Sequence, residues 1–297
     1  MVPFLFEAVF RAIDIALIAV ALSAVYSLIK FPNVALVQYA VVGAFVGMAL
    51  QRQGVPLAVA IGGASLLVGG LAVLCNVAIF EKLLRLDSAI ALIGSLALSM
   101  VLSAVFLLAF GPAAQRFTVP VAPAMRVAGV RVTEMQLYTA GVTVLAFATF
   151  GLLLFRTRLG REMRAVATNS VLASATGIDN RVVVAVVVFL SGVLAALGGC
   201  MLALKGSVSI DMGTNMLLPV FAAAILGGLG NAFGAIAGAL LIAIAETIVT
   251  NMNIGSLVGT DFYYLPANYA PAASFALLVI VLLVRPKGLF VSEVSRV

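Results

Sequence analysis

Histidine and tryptophan are both absent from the 297 residues, and only 9% of the side chains are charged. Without histidine there is no imidazole metal site, no Ser-His-Asp triad and no histidine proton relay. Without tryptophan, an interfacial aromatic belt must rest on Tyr and Phe. A soluble globular domain carries about 25% charged residues to cover its surface. This chain cannot do that. Cysteine is scarce too: Cys75 and Cys200 lie far apart, each inside an apolar run, and read as small buried hydrophobes rather than a redox pair.

What remains is apolar. The AVILMFWYC residues make up 64% of the chain, enough at about 20 residues per crossing for up to roughly nine transmembrane helices. The sequence therefore predicts an all-α, polytopic integral membrane protein of about eight or nine spans, a single domain over 1–297. Apolar runs between charges place candidate helices near 12–29, 34–50, 56–80, 89–110, 137–155, 182–204, 214–229, 232–250 and 270–284. Glu7, Arg11 and Asp14 interrupt the stretch where a cleavable signal would carry its apolar region. The net charge of +6 is expected to report topology rather than nucleic-acid binding.

Orientation follows from the basic residues. The connection 156–181 carries Arg156, Arg158, Arg161, Arg164 and Arg181 against Glu162 and Asp179, so the positive-inside rule puts it in the cytoplasm. Alternation then brings Lys30, Lys82, Arg85, Arg285, Lys287 and Arg296 inside as well, and leaves Arg11, Arg52, Arg116, Arg126, Arg131 and Lys205 outside with the N-terminus. Two outer segments are long. Residues 111–136 alternate polar and apolar around Arg126–Val132, with Pro120 and Pro123 opposing a helix, which predicts a small extracytoplasmic β-ribbon. Residues 251–269 carry Tyr263, Tyr264 and Tyr269, expected at headgroup level.

The stretch 214–250 is interrupted by Gly227-Gly228-Leu229-Gly230-Asn231, which reads either as a turn between two spans or as a re-entrant pair lining a cavity. Gly230, Gly234 and Gly238 form two overlapping GxxxG steps, a face that lets another helix backbone approach, and Gly43 with Gly47 repeats the pattern once. Gly228-x-Gly230 is no nucleotide fingerprint, because it follows no strand and opens into an apolar span. Three ionisable residues fall within or beside apolar runs. Lys205 is expected to snorkel outward, and Asp14 to reach the outer headgroups. Glu246 lies deepest and is either a functional group or a hydrogen-bond partner for a neighbouring helix. Glu246 and Asn231, with Gly230, Gly234 and Gly238, are the candidate pathway or helix-packing residues. No cluster with metal-ligand spacing and no catalytic pair is present, so neither a cofactor nor an enzymatic activity is expected.

The inner loop is the most informative segment. From Gly160 to Ala175 it has helix-forming composition, and Gly177 is placed to end that helix. With Met163, Ala167 and Ala175 beside Arg161 and Arg164, it is either a docking helix for another protein or a solvated connector that sets topology.

Three stretches carry a resemblance: TRLGREMRAVATNSVLASATGID (157–179), PVFAAAILGGLGNAFGAIAGALLIAIAE (219–246) and ASFALLVIVLLVRPKGLF (273–290). They resemble the membrane-spanning permease subunits of the branched-chain (hydrophobic) amino acid ABC transporter family, including its Arg-Pro-x-Gly-Leu-Phe ending. The first half is similar only loosely: family members often carry an Asn-Phe-Ala-His-Gly type stretch where this chain has Phe31-Pro32-Asn33-Val34-Ala35. The resemblance implies an importer in a bacterial inner membrane, in which a second, related permease, two cytoplasmic ATPase subunits and an extracytoplasmic substrate-binding protein join this chain. It implies that loop 157–180 meets the ATPase, with Arg161, Arg164, Ala165, Asn169, Ala173, Gly177 and Ile178 as the coupling residues, although no Glu-Ala-Ala triplet is present. No Walker A pattern occurs, so ATP binding is expected in the partner subunits. The competing reading is a stand-alone secondary transporter or channel for a small polar solute, built on Asp14, Glu246 and the glycine interruption.

Overall fold

The computed structural model describes residues 2–119, 125–127, 130–252, 266, 269–285 and 288–289. Some of its helices open on a side-chain cap, as at Asp87, Asp179 and Asn231, and others start without one. The first three are α1 (Val2–Ile29), α2 (Ala35–Arg52) and α3 (Leu57–Cys75). A π-turn at Asn76–Phe80 carries α3 into the short α4 (Glu81–Leu83). Next, α5 (Ser88–Phe110) begins where the Asp87 carboxylate accepts the Ala89 N–H at 3.0 Å. Beyond it, α6 (Glu134–Arg156) opens on a capping box between Thr133 and Gln136, which satisfies two of the amide groups a helix start leaves orphaned. The connection after α6 holds α7 (Arg158–Thr168) and α8 (Ser170–Ala175), then Asp179 caps α9 (Asn180–Lys205). The last three are α10 (Asp211–Leu226), α11 (Ala232–Asn251) and α12 (Ala270–Val284).

Among the described residues seven helices are long and apolar enough to cross a membrane, with α10 and α12 as shorter apolar helices. At 1.5 Å per residue a helix of 16 residues reaches about 24 Å, less than the ~30 Å hydrocarbon core. The stretch 214–250 is thus two helices, one shorter than a full crossing, joined by a tight turn. Gly228 and Gly230 both take positive φ there, at 88° and 94°, a conformation that costs a side chain but not glycine. The Asn231 side chain then caps α11 through the amides of Phe233 and Gly234, at 3.2 and 3.0 Å.

Packing is organised around α1, which has 78% of its apolar window buried, against 17% for α5 and α6. It lies against α9 and α11, while α2 and α3 pack on the other flank of α9. Small residues make these approaches close. A Cβ on Gly199 would overlap the carbonyl of Ala40, and one on Gly43 would meet Ala196. In the α10–α11 pair, Gly234 and Gly238 lie against the backbone carbonyls of Gly227 and Ala223, so these members of the double GxxxG serve a hairpin of adjacent helices. Gly230 does not join them; it forms the turn.

Hydrogen bonds show which connections share an end of the bundle. At one end Gln115 and Val208 pair through their backbones, and Gln51 holds Thr118 from both amide atoms, at 2.8 and 3.0 Å. At the other end Arg181 lies 3.7 Å from Glu81, and the Leu289 amide donates to the Leu226 carbonyl. The loops that charge assigns to one side therefore do meet. Within the segment 111–136 the strands β1 (Met125–Val127) and β2 (Val130–Val132) pair antiparallel, with Arg126 opposite Arg131. Tyr263 and Tyr264 lie outside the described residues.

Candidate functional site

The connection 156–181 differs in one respect from the single helix expected over Gly160–Ala175. It breaks at Asn169, which takes extended backbone angles (φ −155°, ψ 102°) while its side-chain oxygen accepts the amides of Val171 and Leu172. Helix propensity carries the chain to Thr168, and there the capping ability of asparagine prevails. The preceding helix, α7, is held against its own bundle. Met163 and Val166 are buried, and a Cβ on Gly160 would strike the Leu154 carbonyl, so only glycine lets α7 fold back onto the end of α6.

The proposed coupling residues divide accordingly. The Arg164 guanidinium donates to the Leu154 carbonyl and anchors α7 to α6. Ala173 is buried, and Ala165 and Ile178 are half-buried. Arg161, Asn169 and Gly177 are exposed. Gly177 takes φ 86° with open space about it, so its value is the turn it permits. Sequence reasoning overlooked Val171 and Leu172, which are 77% and 63% exposed at the start of α8. Two adjacent aliphatic side chains on an exposed tip mark a surface to be covered. The available signal was Asn169 itself, since an N-cap places the next residues on the outside of a new turn.

The ionisable residues within the spans are paired. The Arg11 Nε donates to Glu246 at 2.6 Å, and Ser274 donates to the other oxygen of that carboxylate. Glu246 is 1% exposed. Lys205 donates to Asp14 and sits 5.7 Å from the centre of the Phe10 ring, a cation–π distance. Asn251 also reaches Glu7 at 3.1 Å. Lys205 does not snorkel alone, and Asp14 does not reach for headgroups: each neutralises the other. The network ties α1 to α9 and α11, and α11 to α12. Asp14 and Glu246 each face a cation, while Glu7 is exposed and meets only the Asn251 amide.

A cleft of about 270 Å³ opens between α2, α5 and α10. Ser99, Ser103 and Thr214 supply hydroxyls, Val37, Leu96 and Leu217 supply apolar walls, and Gln38 lies at its edge. Gln38 is 6% exposed, and its Nε2 has no acceptor among the described residues. A buried amide donor without a partner is costly, and a bound oxygen atom would relieve it. Gly213 makes the arrangement possible, because a Cβ there would strike the Gln38 side chain. No cluster of His, Cys, Asp and Glu able to hold a metal occurs among the described residues.

These features, an apolar bundle with paired charges, a polar cleft and a projecting inner loop, match a known pattern of sequence. Residues 4–283 fit the family described as the permease component of the branched-chain amino acid transport system. The chain belongs to this family. It is accordingly a multi-pass membrane permease component. LivH, the high-affinity branched-chain amino acid transport system permease protein of Escherichia coli K12, is 28% identical over 159 residues, 53% of this chain and 48% of LivH. BraD of Pseudomonas aeruginosa, a protein of the same description, is 28% identical over 164 residues, 54% of this chain and 49% of BraD. The permease thus spans about half the length of the curated relatives it matches. A chain of PsaBC from Streptococcus pneumoniae, solved in complex with Fab, shares the fold with a TM-score of 0.51 over 96% of this permease and 92% of that chain, at 16% identity.

Proposed function

We propose that this permease is the membrane-spanning subunit of an ABC importer for branched-chain or other hydrophobic amino acids. It pairs with a second permease, receives solute from an extracytoplasmic binding protein, and couples to two cytoplasmic ATPases. The observation that carries the reading is the inner loop. An aliphatic tip, Val171 and Leu172, projects from a segment that Met163, Val166 and Gly160 hold firmly on the bundle. A tip of this kind passes motion inward only if its base is rigid, and α7 is built as such a base. Arg161 and Asn169 flank the contact, while Arg164, Ala165, Ala173, Gly177 and Ile178 shape it from within.

The Gln38 cleft suits the proposed solute. The Gln38 amide and the Thr214 hydroxyl meet a carboxylate without adding net charge, and the apolar walls accept an aliphatic side chain. Binding selectivity then rests largely with the binding protein, and the permease needs only a weak waypoint. Glu246, Asn231, Gly230, Gly234 and Gly238 support the pathway by holding helices in place.

Co-purification tests the reading. The chain is extracted in mild detergent with a non-hydrolysable ATP analogue, and the polypeptides that accompany it are identified by mass spectrometry. Recovery of ATPase subunits together with a second permease is expected. Recovery of the chain alone, under conditions that keep control complexes intact, would overturn the importer assignment.

A further inference from the structure

A cavity of about 590 Å³ lies at the end of the bundle that carries the connection 156–181, between α1, the end of α6, α7 and the start of α11. Its polar lining is one-sided. Lys30 and Arg164 both face it, with Ser27, Thr168 and Asn231 beside them, and no Asp or Glu lines it. Neither cation pairs with a carboxylate among the described residues: Arg164 is bonded to the Leu154 carbonyl, and Lys30 has no side-chain partner. The first turn of α11 opens here too, and the positive end of its dipole adds to the field.

Lys30 carries a second signal. It follows α1 with φ 55°, the single positive φ of a non-glycine residue among the described residues. This is the position after a helix where glycine or asparagine is usual. A lysine held in that conformation is strained, and strain of this kind collects where a side chain has work to do. The opposite side of the cavity is apolar. Phe155 and Phe233 line it with their ring centres 5.2 Å apart, and they remain 62% and 46% exposed.

We propose that this cavity binds an anionic phospholipid of the cytoplasmic leaflet. Lys30 and Arg164 hold the phosphate, and an acyl chain runs over the Phe155–Phe233 pair. The cavity lies at the end of the bundle that carries the basic connection 156–181, hence at the level of the inner headgroups. Basic pockets between membrane helices on this side are suited to such headgroups. The exposed aromatic pair argues for a lipid over a soluble anion, which has no use for an apolar floor. Bound there, the lipid would bridge α1 to α7 and so stiffen the base of the inner loop.

The test is native mass spectrometry of the full chain, released from bilayer discs containing equal phosphatidylglycerol and phosphatidylethanolamine. The wild type should retain phosphatidylglycerol preferentially. Lys30→Gly should lower that retention about fivefold, the effect of one basic residue near a charged surface, while its melting temperature stays equal or rises as the backbone strain is relieved. Arg158→Gln, which changes an exposed residue paired with Glu162 outside the cavity, should retain lipid as the wild type does. Equal retention of the two lipids, or undiminished retention in Lys30→Gly, would overturn the proposal. So would release of the lipid by millimolar inorganic phosphate or by added ATPase subunits, since either would assign the cavity to another occupant.

Discussion

Replacing Arg11 by Gln should destabilise this protein far more than replacing its partner Glu246 by Gln. The reason is the asymmetry of the pair. Glu246 is 1% exposed, whereas the Arg11 side chain keeps 35% of its surface in contact with solvent. Arg11→Gln leaves a carboxylate buried without its counter-charge, a loss of about 3–5 kcal/mol. Glu246→Gln leaves a guanidinium that can still be hydrated, and the new amide can still meet Ser274; the loss is that of one or two ordinary hydrogen bonds, about 1–2 kcal/mol. The double variant removes both charges and should resemble Glu246→Gln alone. Equilibrium denaturation of the purified chain in detergent, run on all four members of the cycle, reads these differences as folding constants. At 1.4 kcal/mol per factor of ten, Arg11→Gln should shift the constant by about a hundredfold or more. The second substitution should restore much of that, a coupling of at least ~2 kcal/mol. If the two single variants are equally harmful, or if their effects add in the double variant, the carboxylate is not an electrostatically buried group and the reasoning fails.

The other expectations concern packing, coupling and the pathway. Val171→Asp combined with Leu172→Asp should alter stability by no more than about 0.5 kcal/mol, as both are exposed, yet abolish recovery of ATPase subunits; unchanged recovery would remove α8 from the interface. Gly199→Val should cost about 1–3 kcal/mol or more from overpacking against the Ala40 carbonyl, while Gly62→Val, where a Cβ meets open space, should express normally. Size-exclusion profiles distinguish the two, and equal profiles would contradict the close α2–α9 approach. Gln38→Leu should leave the fold intact or firmer, because it removes an unpaired buried donor, and should slow solute uptake by up to about tenfold, the worth of one hydrogen bond. Undiminished initial rates of uptake would exclude Gln38 from the pathway.

Composition and spacing determined a good deal here without coordinates. An apolar content of 64% with 9% charge admits one solvent, and the apolar runs between charges mark the helices to within a few residues, except that α1 begins earlier than expected and α10 ends sooner. The structure adds local chemistry of the same short range: Asp179, Thr133 and Asn231 cap the helix that immediately follows them, and the glycines of 227–230 make the turn between α10 and α11. The charge bias of the connection 156–181 likewise needed no tertiary information to predict an orientation.

Tertiary structure alone decided the partnerships. Arg11 and Glu246 are 235 residues apart, and Lys205 and Asp14 are 191 apart, so each charge looked solitary when read along the chain. Only the packing of α1 between α9 and α11 turns four costly charges into two pairs. The same holds for Gln38, an unremarkable residue in a helix until Gly213 and the serine face of α5 are brought beside it. Lys30 and Arg164 read as topology signals until α7 folds back over the end of α1. Helix formation and membrane insertion respond to neighbours within a turn or within one span, which sequence displays. A site is made by side chains that converge from different spans, and that depends on which small residues let which helices touch.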